Sequence, residues 1–192
     1  MTVFEETIAF FLWVGGTYAV GAAVAIYVYY KTGAIFYTSG RAKRERQESA
    51  AWYALLRKNV FTPGTVAYGI AWAVGYLLFG YSLWRIWIGP AAHDSVIGGA
   101  TISVALVHWA ALGLNAWMTF GCENLVLGTV GQLLNLGTSG TITALIWKMQ
   151  VDGTAALIGP GVASAVYAFE HLLAFIVQVA LLIKNRNHLQ QL

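Results

Sequence analysis

Charge is what this chain has least of. Only 10% of its 192 residues are Asp, Glu, Lys or Arg, 58% are hydrophobic, and the mean hydropathy is +0.64. A water-soluble domain carries about 25% charged residues. Most of this surface must therefore face something other than water. Cysteine is nearly absent as well. Cys122 stands alone, which excludes an intrachain disulfide, a CxxC redox pair and a cysteine zinc cluster; it reads as a small apolar residue at a helix end. There is no phosphate loop, no GxSxG, no HExxH and no His/Cys set at metal spacing, and His93, His108, His171 and His188 are scattered. His108 and Glu170, on separate runs, are too small a set to hold a metal or haem. These absences point away from an enzyme and from a required cofactor. The basic run is too short, and too close to an apolar run, for nucleic acid. Basic residues are also missing ahead of the first apolar run, where Glu5 and Glu6 stand instead. A cleaved secretory signal needs a positive start and a transit peptide is Arg-rich, so the first run reads as a retained span.

What is there is a series of apolar runs. Five are long enough to cross a hydrocarbon core, near residues 7–30, 65–88, 97–121, 125–148 and 154–183. They are continuous rather than alternating, which excludes a membrane barrel. The predicted fold is an all-α, five-transmembrane-helix bundle forming one domain over residues 1–192, with a basic loop at 31–58. Gly159-Pro160-Gly161 either kinks the fifth helix or delays its start. Small residues four apart, Ala71/Gly75, Gly21/Ala25 and Gly140/Ala144, are candidates for close helix approach in lipid.

Charge asymmetry sets the expected orientation. Lys31, Arg41, Lys43, Arg44, Arg46, Arg57 and Lys58 lie between the first two spans, and Lys184 and Arg186 follow the fifth. Only Arg85 and Lys148 lie on the other side. The basic loop and C-terminus should face cytosol or matrix, in a mitochondrial or bacterial inner membrane. Arg41, Lys43, Arg44 and Arg46 serve either as an orientation signal or as a docking site for anionic lipid headgroups or a partner.

The stretch Trp52–Gly80 reads WYALLRKNVFTPGTVAYGIAWAVGYLLFG. Tyr68, Trp72, Tyr76 and Gly80 are spaced by four and share one helical stripe. With Trp52, Tyr53, Leu56, Lys58, Phe61 and Pro63, these residues resemble the second-helix pattern of the TspO/MBR family, the tryptophan-rich sensory and translocator proteins also called peripheral benzodiazepine receptor-like. Asn59 and Gly64 replace usual prolines and Val66 a common tryptophan. In the fifth helix, Gly161 and Ser164 depart from the family's Tyr and Trp, so the chain is divergent there. The resemblance implies five helices and a non-enzymatic binder or carrier of a hydrophobic planar ligand, a tetrapyrrole or a sterol. It is also compatible with a homodimer. The alternative is an accessory subunit of a larger membrane complex, for example a mitochondrial respiratory one, that kept the fold and lost the pocket. The inserted basic loop and the altered fifth helix favour that alternative.

The expected pocket is lined by Trp72, Tyr76, Trp109 and Asn115, with Trp117 nearby and the Trp52-Tyr53 pair over its mouth. Flat aromatic walls suit planar apolar ligands. His108, Glu170 and His171 fall at membrane depth, where polar groups usually face the bundle interior and have a partner. Glu170 pairs either with His108 or with a bound ligand, or serves only to fasten helices. A transporter using Glu170 as a proton-linked carboxylate is opposed by the lack of inverted repeats. Gln132 and Asn135 read as interhelical glue, and Trp13, Trp84, Trp87 and Trp147 as interfacial belt residues.

Overall fold

A computed structural model describes residues 2–31, 52, 55–58, 62, 65–89, 95–151 and 158–186. Among them it forms five long helices and no strand: α1 (Val3–Lys31), α2 (Thr65–Ile88), α3 (Val96–Gly121), α4 (Leu125–Val151) and α5 (Ile158–Asn185). By length and composition α1, α3 and α5 are apolar enough to cross a membrane. At 24 and 27 residues, α2 and α4 are also long enough to span. α4 carries Gln132, Asn135 and a series of hydroxyls. Thr129, Thr138, Thr141 and Thr143 each return a hydrogen bond to a carbonyl of their own helix, so their hydroxyls need no water.

Local chemistry sets the helix ends. α1 begins ahead of its apolar run because Thr2 and Glu5 form a capping box: Thr2 N–H donates to Glu5 Oε2 at 2.7 Å and Glu5 N–H to Thr2 Oγ1 at 3.3 Å. Ser95 caps α3 by accepting from Gly98 N–H at 2.9 Å. Between α3 and α4 the chain reverses within a few residues. Glu123 adopts the left-handed region (φ 51°), and Asn124 Oδ1 then accepts from Val126 and Leu127 N–H. Pro160 falls in the first turn of α5, where its missing N–H leaves no intrahelical bond unmade.

The helices pack as a closed ring in the order α1, α2, α5, α4, α3. Leu106, Val107, Leu133, Phe169 and Ile176 point outward, an exposed apolar surface fit for hydrocarbon rather than water. One end of the ring is solid. There Phe79, Leu83 and Ile86 of α2, Ile142 and Ile146 of α4 and Tyr167 of α5 are fully buried against one another. The other end, where Arg57 and Lys58 meet the end of α5, is hollow.

Small residues decide how closely the helices approach, though not always the expected ones. A methyl at Gly80 would lie 2.8 Å from Val14 Cα and 3.0 Å from Trp13 O, so α1 and α2 touch backbone to backbone there. The contact falls on the π-helical turn Phe11–Gly15 of α1. Gly21 seats the ring of Tyr76, and Gly75 seats the carboxylate of Glu170 and the ring of Tyr167. Gly140 differs from the expectation: nothing among the described residues lies within 4 Å of where its side chain would be. Its pairing with Ala144, which is exposed, holds no helices together here.

These environments predict opposite responses to the same substitution. Gly80→Ala should destabilise the bundle by about 1–3 kcal/mol through overpacking. Gly140→Ala should be neutral or stabilising by up to about 1 kcal/mol through helix propensity. Unfolding midpoints in detergent check both, and equal midpoints for the two variants would contradict the packing described.

Candidate functional site

The hollow end holds a cavity of about 540 Å³ walled by α1, α2, α3, α4 and α5 and by the segment before α2. A second space of about 320 Å³, mainly between α1, α2 and α3, adjoins it. The two share Val28, Tyr29, Tyr68, Trp72, Asn115 and Phe120. Trp72 stands at their junction. Its ring meets Tyr68 at 5.7 Å and Tyr76 at 5.6 Å between centroids, along the stripe expected of α2. It also meets the imidazole of His171 edge-on at 4.8 Å. Tyr76, buried on Gly21, lines the smaller space.

The loop-side mouth is held by the end of α5. Asn185 Oδ1 accepts from Arg57 N–H at 2.8 Å, while its Nδ2 donates to Arg57 O at 3.2 Å and to Leu181 O at 2.8 Å. Lys184 Nζ donates to Lys58 O. Partial burial of Lys58 pushes its ammonium pKa down. This clip sets Trp52 and Leu56 in the cavity wall.

Two side-chain networks run through the interior. In one, Thr119 Oγ1 donates to Asn115 Oδ1 at 3.5 Å and Asn115 Nδ2 to Gln132 Oε1 at 2.9 Å. Gln132 Nε2 then donates to His171 Nδ1 at 3.1 Å and to its carbonyl at 3.2 Å. An accepting Nδ1 places the proton of that ring on Nε2. In the other, His108 lies between Thr138 Oγ1 at 2.7 Å and Tyr167 Oη at 2.9 Å. Tyr167 stacks on Phe79 at 4.5 Å.

Several expected site residues take other places. Glu170 does not pair with His108, because both ring nitrogens of His108 are engaged by Thr138 and Tyr167. Successive helical residues point about 100° apart. His171, one turn after Tyr167, reaches Gln132 of α4, while Glu170 turns toward Gly75 of α2 and the larger cavity. His108 and His171 are fully buried and line neither space. Trp109 lies away from both spaces, against Trp13 at 5.6 Å and close to Gly16. Trp117, 53% exposed on the π-helical turn at the end of α3, faces outward. Trp13 departs from the belt expectation too: it is buried between Trp87 and Trp109. Tyr53, Arg41, Lys43, Arg44 and Arg46, like His93 and His188, lie outside the described residues.

Tyr167, Gln178, Leu56 and Asn185 were not singled out as site residues from the sequence. Gln178, two turns beyond Glu170 on the same helix, had a readable signal, since an amide at that spacing shares its face. Asn185 had none, because its partner is 128 residues away. Three polar groups at the two spaces have enclosed atoms without hydrogen-bond partners among the described residues: Glu170 Oε2, Gln178 Nε2, and both amide atoms of Asn135.

A sequence model of the TspO/MBR family matches residues 23–177. No curated protein matches the chain significantly.

The His108 bridge gives a direct test. Tyr167→Phe keeps the ring on Phe79 and removes only the hydroxyl. The bundle should lose about 1 kcal/mol as His108 Nε2 is left unpartnered. A denaturant titration in detergent reads the loss, and an unchanged midpoint would mean the bond contributes nothing.

Proposed function

Because the chain belongs to the TspO/MBR family and is an integral membrane protein, we propose that it is a non-enzymatic binder or carrier of a hydrophobic planar ligand, of the tetrapyrrole or sterol class. The observation that carries this reading is the cavity of about 540 Å³ at the hollow end of the bundle, with Trp72 in its wall. Its size falls within the range of small-molecule sites, about 300–1,000 Å³. Its wall also has the usual composition of such sites, mostly apolar and aromatic with a few placed polar groups. Nothing in this reading requires bond making. The protein supplies a shaped, dry space, and a flat ligand gains contact area against Trp72, Tyr68 and Trp52.

The rival reading, an accessory subunit that kept the fold and lost the pocket, expects a filled interior. The space between the helices speaks against it, and the divergence at Gly161 and Ser164 lies at the solid end of α5, away from the cavity.

A neutral planar probe tests the reading without invoking charge. The full chain, reconstituted in nanodiscs, should show saturable tryptophan quenching by protoporphyrin dimethyl ester. Trp72→Leu should weaken binding roughly tenfold through lost ring contact. Absence of saturable quenching, with migration in a large complex on a native gel of source membranes, would favour the accessory subunit.

A further inference from the structure

The cavity wall points to the chemistry of its occupant, an inference that rests on the cavity being a ligand site. Among the described residues lining the larger space, Glu170 is the only carboxylate, and no Lys, Arg or His accompanies it. Its Oε2 is enclosed and has no hydrogen-bond partner. Asn115 bonds Gln132, which bonds His171, and His108 is held by Thr138 and Tyr167. The carboxylate is seated on the bare face of Gly75, where a methyl group would displace it. A carboxylate short of donors is unfavourable in such a space, and a ligand that donates to the group offsets that cost.

We propose that Glu170 selects an aromatic amphiphile carrying a protonated amine, which donates to the carboxylate group lining the larger space while its ring lies against Trp72. The ammonium and the carboxylate form a charge-assisted hydrogen bond inside a poorly solvated space, where such bonds are strong. A carboxylate on the same ring meets like charge and is disfavoured. Gln178 lines the same space two helical turns nearer the loop-side mouth, with its Nε2 over Gly128.

Three matched probes separate this inference from the reading beneath it: 1-pyrenemethylamine, 1-methylpyrene and 1-pyrenecarboxylate. Each is titrated into the full chain in phosphatidylcholine nanodiscs, with tryptophan-to-pyrene energy transfer as the signal. The amine should bind roughly tenfold or more tighter than 1-methylpyrene, and the carboxylate weakest. Glu170→Gln should reduce the amine's advantage over 1-methylpyrene to within about threefold. Gly75→Ala, which moves the carboxylate without removing it, should also reduce that advantage. Equal affinities for all three probes, or an amine advantage that survives Glu170→Gln, overturns the inference and leaves the cavity reading standing. No saturable signal from any probe, 1-methylpyrene included, overturns both.

Discussion

The bundle depends on satisfying polar side chains where no water can do it. In hydrocarbon, helix association gains nothing from excluding water between apolar faces, so packing and interhelical hydrogen bonds carry it. Here the two interior networks join α3, α4 and α5 through His108, Thr138, Tyr167, Asn115, Gln132 and His171. They fix the rotation of each helix about its axis, which aliphatic contacts alone specify poorly. Once His171 is turned toward Gln132, the adjoining Glu170 must face α2. The composition of the cavity wall is thus a by-product of a fastening made elsewhere.

Glycine completes that arrangement. At Gly80 it lets α1 and α2 meet backbone to backbone, and at Gly75 it lets a carboxylate occupy space that a side chain would fill. The first is structural and closes the ring beside the solid end. The second sits on the cavity. The same residue type five residues apart on one helix therefore does two unlike jobs, separated only by what α1 and α5 bring against it.

Much of the architecture was legible in the sequence, because it depends on composition and local period. Continuous apolar runs mark the helices. The spacing of Tyr68, Trp72 and Tyr76 marks one stripe of α2, and the structure brings that stripe to the interior spaces. Relative rotation and depth between helices were not legible. Trp109 reads as a pocket residue because it lies deep in its run, and Trp117 because it follows Asn115 much as in the family pattern, yet one packs on Trp13 and the other faces outward. Glu170 and His108 lie at similar depth, but His108 bonds Tyr167, three residues earlier on α5, instead. Periodicity along one helix does not say which neighbour each face meets.

The Asn185 clip has a consequence for how this sequence can drift. Its amide grips the main chain of Arg57, donating to the carbonyl and accepting from the N–H, and leaves that residue's side chain unused. Replacing the Arg57 side chain therefore leaves the clip at the mouth of the cavity intact, while replacing Asn185 breaks three hydrogen bonds at once. The constraint falls on a position 128 residues away from the one it holds.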